Sequence, residues 1–181
     1  MTLTLNDISD HLKNIDFGML STKKADGTIA SRPMSNNGDV EYAGDTWFFC
    51  DAQSRKITEI MSDPNVGLTY TARPSLLGKP GIFIAIEGRA SLVDDKTTFT
   101  EHWISELERW FPQGVDTPGL LMIKVHASKI SYWDGEEAGQ HRCPARWPLG
   151  KSIAGCEIDN RATTTTTRQC RPRAPEQSAD R

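Results

Sequence analysis

The chain has 181 residues, a formal net charge of −3 and an isoelectric point near 5.8. This length suits one domain with a hydrophobic core, and the acidic balance argues against a nucleic-acid-binding body, because phosphate backbones are bound by basic surfaces. No apolar run approaches the roughly 20 residues of a membrane span, and the polar N-terminus lacks a signal-peptide core. We therefore expect a soluble cytoplasmic protein with neither nucleic-acid nor membrane partners.

The first part of the sequence predicts a helix followed by hairpins. Four apolar residues recur at helical spacing and indicate a short amphipathic helix: Leu5, Ile8, Leu12 and Ile15. Strands are expected over 17–22, 28–34, 46–50 and 66–70. Asp26-Gly27 gives a tight hairpin turn between the first two strands, and a second helix starts near Ser54.

The next part shows the clearest alternation. Apolar residues occupy one strand face between positions 82 and 92: Ile82, Ile84, Ile86, Ala90 and Leu92. Strands over 121–125 and 130–134 end the series, and a stripe at Phe99, Trp103, Leu107, Trp110 and Phe111 predicts one helix between them. Asp94 or Asp95 would cap that helix and Pro112 would end it. Many short strands with few helices favour a mainly β barrel over an open parallel sheet.

The charge balance changes near residue 140. Thirteen Lys and Arg stand against twenty Asp and Glu in residues 1–140, whereas residues 141–181 carry eight against four. The later stretch contains a threonine run at 163–167 and alternating Arg and Pro near 171–175, without sustained apolar periodicity. Such a segment buries too little surface to offset its ordering entropy. We expect a folded domain over 1–140 and a basic, mostly disordered tail over 141–181.

Two segments offer groups that suit a phosphate. Arg32 precedes Pro33, and a proline is expected at the edge or end of a strand because it has no N–H to donate. A guanidinium can bind a phosphate through two parallel hydrogen bonds. Taken alone, Arg32 fits an ordinary surface arginine better. A strand over 46–50 also turns into a helix near Ser54, whose free N–H groups suit an anion together with Lys56 or Arg55. A simple Ser54 cap beside solvated cations explains that segment equally well.

A third segment, residues 108–114, carries Trp110 and Phe111 at a helix end, where they could lie against a flat ring system. Taken alone, the pair fits a core position better, as aromatic stripes usually do.

The four cysteines form no CxxC pair and the histidines are scattered, so no metal site is expected. Nucleophile elbows, Walker A loops and dinucleotide fingerprints are absent from the sequence, so any chemistry would come from a cofactor.

Several short motifs occur in a specific order over roughly residues 5–135: Met19-Leu20-Ser21-Thr22, Asp26-Gly27, Ser31-Arg32-Pro33-Met34, Trp47-Phe48-Phe49-x-Asp51-x-x-Ser54-x-Lys56, Asp63-Pro64-x-Val66, Ile86-Glu87-Gly88-Arg89-Ala90, Trp110-Phe111-Pro112-x-Gly114 and Tyr132-Trp133-Asp134. The ordered set resembles the general stress protein branch of the pyridoxamine-5′-phosphate-oxidase-like flavoproteins. The resemblance implies a homodimeric, Greek-key-like split β-barrel with flanking helices. FMN would be bound in two clefts between the subunits.

The resemblance also implies which residues would contact FMN. The phosphate would be held by Arg32, Ser54 and Lys56. The residues along the ring and ribityl chain, partly through backbone groups, would be Pro33, Met34, Phe49, Cys50 and Asp51. The cleft would be covered, from the partner chain, by Trp110 and Phe111. No catalytic residue and no metal ligand is implied.

Three functions are compatible with this resemblance. The first is an FMN-dependent oxidoreductase of the stress response that acts on an unassigned small molecule. The second is a flavin-binding protein without turnover, which stores or senses FMN. The third is a pyridoxamine 5′-phosphate oxidase, for which the sequence offers no extra basic substrate loop.

Overall fold

The computed structural model describes residues 3–36, 42–72, 81–135 and 137–143, together with the backbone of 157–158. The α-helices in these ranges are α1 (Leu5–Leu12), α2 (Arg55–Ser62) and α3 (Lys96–His102). Two short 3-10 helices follow α3, at Ser105–Arg109 and Gly114–Asp116. The strands are β1 (Phe17–Lys23), β2 (Ile29–Ser35), β3 (Asp45–Asp51), β4 (Asn65–Thr71), β5 (Phe83–Val93), β6 (Leu120–Asp134), β7 (Glu137–Arg142) and β8 (Glu157–Ile158).

All eight strands belong to one antiparallel sheet. Neighbouring strands follow the order β2-β1-β4-β5-β6-β7-β8, and β3 pairs with β6 off this path. The hairpin of β1 and β2 turns at Asp26 and Gly27, and Gly27 has φ +83°, a conformation that glycine adopts without a steric cost. The mainly β architecture with flanking helices that the sequence predicts is therefore confirmed.

The sheet encloses one large hydrophobic core to which β1 to β6 all contribute. Along β5, Ile84 and Ile86 are buried while Phe83 and Glu87 are exposed, as the alternating pattern predicts. The face of α1 that the sequence spacing predicts is also buried, with Leu5, Ile8 and Leu12 in the core. Helix α2 adds Ile57 and Ile60 to the same core.

The segment after β5 differs from the single helix that its aromatic stripe predicts. Asp95 caps α3 by accepting a hydrogen bond from the Thr98 N–H at 2.8 Å, but α3 ends at His102. Trp103 and Ile104 are extended, and a 3-10 helix follows. This break places Trp103 edge-on against Phe49, with ring centroids 5.2 Å apart. Aromatic packing on the outside of β3 thus replaces continued helical hydrogen bonding.

The boundary expected at residue 140 falls inside β7, which pairs with β6 and carries the buried His141. Cys143 is also buried against the core. The disordered tail remains a prediction, because residues 144–156 and 159–181 lie outside the described residues. The turn expected near Asn36 to Asp39 lies largely outside them as well, since only Asn36 is described.

Gly88 lies at an irregularity in the pairing of β5 with β6, where a side chain would meet backbone. A Cβ at this position would come within 2.5 Å of the carbonyl oxygen of His126, and the register shifts between Glu87 and Gly88. We expect Gly88→Ala to lower the free energy of unfolding by about 1–3 kcal/mol, because backbone cannot move aside as a flexible side chain can. Urea unfolding followed by circular dichroism measures this change.

Gly67→Ala is the matched control for that measurement. Gly67 lies on the neighbouring strand β4, where an added Cβ would make only an ordinary contact of 3.8 Å with the Ser21 Cβ. We expect this control to change the free energy of unfolding by less than about 1 kcal/mol. Equal effects of the two substitutions would contradict the steric explanation.

Candidate cofactor site

The start of α2 is positioned by the end of β3. The side chain of Asp51 accepts a hydrogen bond from the Gln53 N–H at 2.6 Å, and the Asp51 carbonyl accepts one from the Ser54 N–H at 3.1 Å. Ala52 is tied to the segment that precedes β6, because its N–H donates to the Gly119 carbonyl at 2.8 Å. This tight turn delivers the chain into α2 with Ser54 as the residue before its first turn.

Ser54 and Lys56 offer polar groups that the fold itself does not use. The Ser54 hydroxyl is buried, does not cap α2 and forms no hydrogen bond with the described residues. Lys56 is half-buried and forms no ion pair with any residue that the structure describes. The first turn of a helix also leaves N–H groups without intrahelical partners. The start of α2, which we call the candidate cofactor corner, therefore presents the Ser54 hydroxyl, these N–H groups and the Lys56 ammonium group.

Cys50 lies beside this corner but points into the core. Burial raises the pKa of its thiol to about 11, against a smaller opposing effect of the Lys56 ammonium. At neutral pH the thiol therefore stays protonated, which makes it a weak nucleophile.

Arg32 is held in a network with Thr22 and Glu59. Its guanidinium donates to the Thr22 hydroxyl and to the Glu59 carboxylate, the latter at 2.7 Å, and the Thr22 hydroxyl donates to the same carboxylate at 2.5 Å. The hydrogen bonds from Thr22 and Arg32 hold the pKa of Glu59 below its ordinary value of 4.5. The Glu59 side chain is only 12% exposed, so this ion pair is well protected from solvent.

Glu59 connects Arg32 to the start of α2. It follows Lys56 by three residues and Arg55 by four, a spacing that puts these side chains on one face of a helix. The Arg55 guanidinium also contributes to the lowered pKa of Glu59. The structure thereby brings Arg32 to the face of α2 that carries Lys56 one turn earlier.

The remaining residues expected around a cofactor divide between two faces of the sheet. Met34 is buried in the core, whereas Pro33 faces outward and is exposed. Cys50 likewise faces the core, whereas Phe49 lies on the outer side of β3 against Phe99 and Trp103. If both Pro33 and Met34, or both Phe49 and Cys50, contact the same ligand, one residue of each pair must therefore do so through its backbone.

Trp110 and Phe111 also have different environments. Trp110 is 59% exposed, with the Arg109 guanidinium 5.4 Å from its ring centroid. Phe111 is half-buried and packs near Trp103, with centroids 6.4 Å apart. Of the two, Trp110 therefore offers the more open aromatic surface.

Thr22 and Glu59 are the members of this site to which sequence reasoning assigned no role. Two signals were present in the sequence. Glu59 lies one helical turn after Lys56, and Thr22 is a diagonal neighbour of Arg32 across the hairpin of β1 and β2, since Thr22 pairs with Ala30 and Arg32 with Leu20. Neither signal shows by itself that the three side chains meet, because β1, β2 and α2 come together only in the folded protein.

A family model described as "Pyridoxamine 5′-phosphate oxidase like" matches residues 4–144. Protein bli-3 of Neurospora crassa is 25% identical over 137 residues, which cover 71% of this chain and 63% of that protein. The chain thus spans less than two thirds of the length of this curated relative.

Two solved structures are also similar. General stress protein 26 from Bacillus anthracis is 27% identical, with a TM-score of 0.58 over 75% of this chain and 98% of that one. A pyridoxamine 5′-phosphate oxidase-related, FMN-binding protein from Nostoc punctiforme is 14% identical, with a TM-score of 0.58 over 84% of this chain and 94% of that one. These similarities confirm the expected split-barrel fold.

The network around Glu59 predicts a pH-dependent contribution to stability. Because the folded pKa of Glu59 lies below 4.5, its carboxylate stabilises the fold above that pH, and the stabilisation is lost as pH falls through the folded pKa. We expect Glu59→Gln to lower the free energy of unfolding by about 1–2 kcal/mol at pH 7 and by less below about pH 4. Urea unfolding at pH 7 and pH 3.5 provides the comparison.

Glu87→Gln is the control for this experiment. Glu87 pairs with Lys129, but its side chain is 65% exposed, so its substitution should change stability by about 0.5 kcal/mol or less. A Glu59→Gln effect that is the same at both pH values would show that its charge contributes nothing.

Proposed function

The chain belongs to the pyridoxamine 5′-phosphate oxidase-like family, and on that premise we propose that it binds FMN with the phosphate at the start of α2. The observation that carries the proposal is the buried Ser54 hydroxyl, which has no hydrogen-bond partner among the described residues and lies at the helix start beside Lys56. A buried hydroxyl without a partner is costly unless a ligand satisfies it. A phosphate oxygen would accept its hydrogen bond.

The charges around this corner fit a dianion. Lys56 supplies an ammonium group, and the N–H groups at the start of α2 add a positive electrostatic potential. Arg32 uses some of its five N–H donors on Thr22 and Glu59, and the others are free to meet a phosphate. Charge-assisted hydrogen bonds of this kind are stronger than neutral ones.

The outer face of the sheet supports association of two copies. Pro33 and Met19 are direct neighbours on β2 and β1, and Phe83 and Trp133 are direct neighbours on β5 and β6. All four are exposed, and directly opposed residues of an antiparallel pair point to the same side. We call these four residues the outer apolar face. Because exposed apolar patches usually mark interfaces, we infer a homodimer formed through this face, with FMN near Pro33 between the copies.

Bound FMN would supply electron or hydride exchange with a small molecule, and the residues of this chain would bind and orient it. The similarity to a general stress protein supports an oxidoreductase of the stress response with an unassigned substrate. Storage of flavin without turnover is the second candidate. Anaerobic NADH or NADPH added to the FMN-loaded protein separates the two. Bleaching of the flavin supports turnover, and unchanged absorbance with both donors supports storage.

FMN retention and its phosphate dependence test the cofactor proposal. After incubation with FMN and desalting, we expect flavin absorbance equivalent to one FMN per chain. Lys56→Ala together with Arg32→Ala should weaken FMN binding about tenfold or more, because charge-assisted hydrogen bonds to the phosphate are lost. Riboflavin, which lacks the phosphate, should be affected far less, and fluorescence titration measures both affinities.

Lys96→Ala is the matched control for that titration. Lys96 is a well-exposed lysine that pairs with Asp116, away from α2. Its removal should leave both affinities within about twofold. Equal losses of FMN and riboflavin binding in the Lys56 and Arg32 variant would show that these residues do not hold the phosphate.

A charge on the outer apolar face tests the dimer. We expect Phe83→Glu to convert the dimer to monomers, because a carboxylate would be buried without a partner in the interface. Met61→Glu is the control, since Met61 is an exposed apolar side chain on α2, outside that face. Sedimentation velocity reports the mass of each variant. A dimeric Phe83→Glu protein, or a wild type that is monomeric with FMN bound, would rule out this interface.

A further inference from the structure

The backbone just before α1 is bound by two buried side chains from distant strands. The Leu3 N–H donates to the Tyr132 hydroxyl at 2.8 Å, and the Leu3 carbonyl accepts from Nε2 of His141 at 2.8 Å. Tyr132 lies on β6 and His141 on β7, and their rings stack with centroids 5.9 Å apart. Both side chains are 1% exposed. The start of α1 is therefore attached to the sheet through both backbone polar groups of Leu3.

The other end of α1 is held by a separate set of contacts. The Asn36 side chain donates to the carbonyls of Leu12 and Ile15 at 2.8 and 2.9 Å. The Ser9 hydroxyl accepts from the Tyr42 N–H at 3.0 Å. Amide and hydroxyl groups keep the same charge at every ordinary pH. Of the two attachments of α1, the one at Leu3 therefore depends on a histidine.

The hydrogen bond to Leu3 fixes the protonation state of His141. A carbonyl oxygen only accepts, so Nε2 carries the proton and Nδ1 of the neutral ring carries none. Nδ1 is buried and has no hydrogen-bond partner among the described residues. A second proton there would place an unsatisfied donor and a positive charge in the core. Burial accordingly lowers the pKa of His141 below its ordinary value of 6.5, against the smaller opposing effect of the Leu3 carbonyl.

The surroundings of His141 offer no charge that would stabilise a protonated ring. On β6 it pairs with Ile130 and stacks on the neutral phenol of Tyr132, and on β8 it pairs with Ile158. Other titratable residues occur on the elements around it: Asp7, Asp10 and His11 on α1, Lys129 and Asp134 on β6, Glu137 and Arg142 on β7, Glu157 on β8, and Cys143. Among the described residues, no charged side chain contributes to the shift of its pKa.

We propose that Leu3, Tyr132 and His141 form a pH-dependent latch, which holds the start of α1 on β6 and β7 at neutral pH and releases it when His141 is protonated. The closed latch favours the neutral ring, so it is fully closed above about pH 6.5 and loosens as the pH falls below that value. Release exposes Leu5 and Ile8, which are buried in the closed state. The latch involves no residue of the proposed FMN site and is independent of that proposal.

Amide hydrogen exchange of the full chain, followed by NMR and corrected for intrinsic rates, tests the latch. We expect the protection of the Leu3 and Ile8 amides to fall about fivefold or more between pH 7 and pH 5, because an opened His141 takes up a proton that the closed state excludes. The Tyr42 amide, bound to Ser9, reports the other end of α1 and should change by less than about twofold. Equal losses at both ends would overturn the proposal, because acid would then loosen the whole fold.

His141→Gln removes the charge change, since glutamine is neutral at both pH values. The protection of Leu3 and Ile8 should then be independent of pH between 7 and 5. His11→Gln is the matched control, because His11 is a histidine in the last turn of α1 that does not contact Leu3, and it should keep the wild-type pH dependence. Persistence of the pH dependence in His141→Gln, or its disappearance in His11→Gln, would show that another group is responsible.

An NMR titration of the wild-type imidazole carbons tests the latch without a substitution. We expect His141 to titrate below its ordinary pKa of 6.5, together with the loss of protection at Leu3. A His141 that titrates at or above 6.5, or that becomes protonated while Leu3 stays protected, would refute the latch.

Discussion

Strand β6 is the element on which the described fold depends. Its fifteen residues pair with β5 along almost their whole length. On its other edge, the first half pairs with β3 and the second half with β7. Within the described residues, β3 has no other strand partner, so the backbone position of Phe49 to Asp51 is set by β6 alone. A long strand with three partners therefore joins β3 and β7 to the rest of the sheet, while the hairpin of β1 and β2 is attached through β4.

This pairing positions the candidate cofactor corner. The register of β3 on β6 fixes where Asp51 ends the strand, and the bond from Ala52 to Gly119 continues that attachment into the turn. Helix α2 then begins at a defined point and buries Ile57 and Ile60, which orients its polar face toward β1 and β2. The register of the hairpin positions Arg32 and the packing of α2 positions Glu59, and together they bring the two side chains into contact.

The carboxylate of Glu59 has a double effect on this corner. It neutralises Arg32 in the protein without a ligand, which removes the cost of leaving a half-buried guanidinium unpaired. It also places a negative charge near the proposed phosphate site, so that phosphate and carboxylate share one arginine. The affinity of the corner for an anion is therefore set by the balance between Lys56, Arg32 and Glu59 rather than by the two cations alone.

The local sequence determined the elements and most of their faces. Period-two and helical spacing predicted β1 to β5, together with α1 and the start of α2, because each pattern reflects a local geometry. The same patterns divided β6 into two strands, over 121–125 and 130–134, where the structure has one strand over Leu120–Asp134. The prediction of one helix from the aromatic stripe between Phe99 and Phe111 was wrong, since α3 ends at His102 and the segment after it packs Trp103 against Phe49. Such contacts join residues about fifty positions apart, and no local pattern records them.

The candidate site also combines features that the local sequence predicts with contacts that form only in the folded protein. Ser54 and Lys56 were predictable, because a strand that turns into a helix creates a polar corner within ten residues of sequence. Tertiary structure alone decided that Arg32 is bound by Glu59 and that Trp110 is open while Phe111 is half-buried. The physical reason is that local backbone preferences act over a few residues, whereas these contacts depend on how the sheet brings distant segments together.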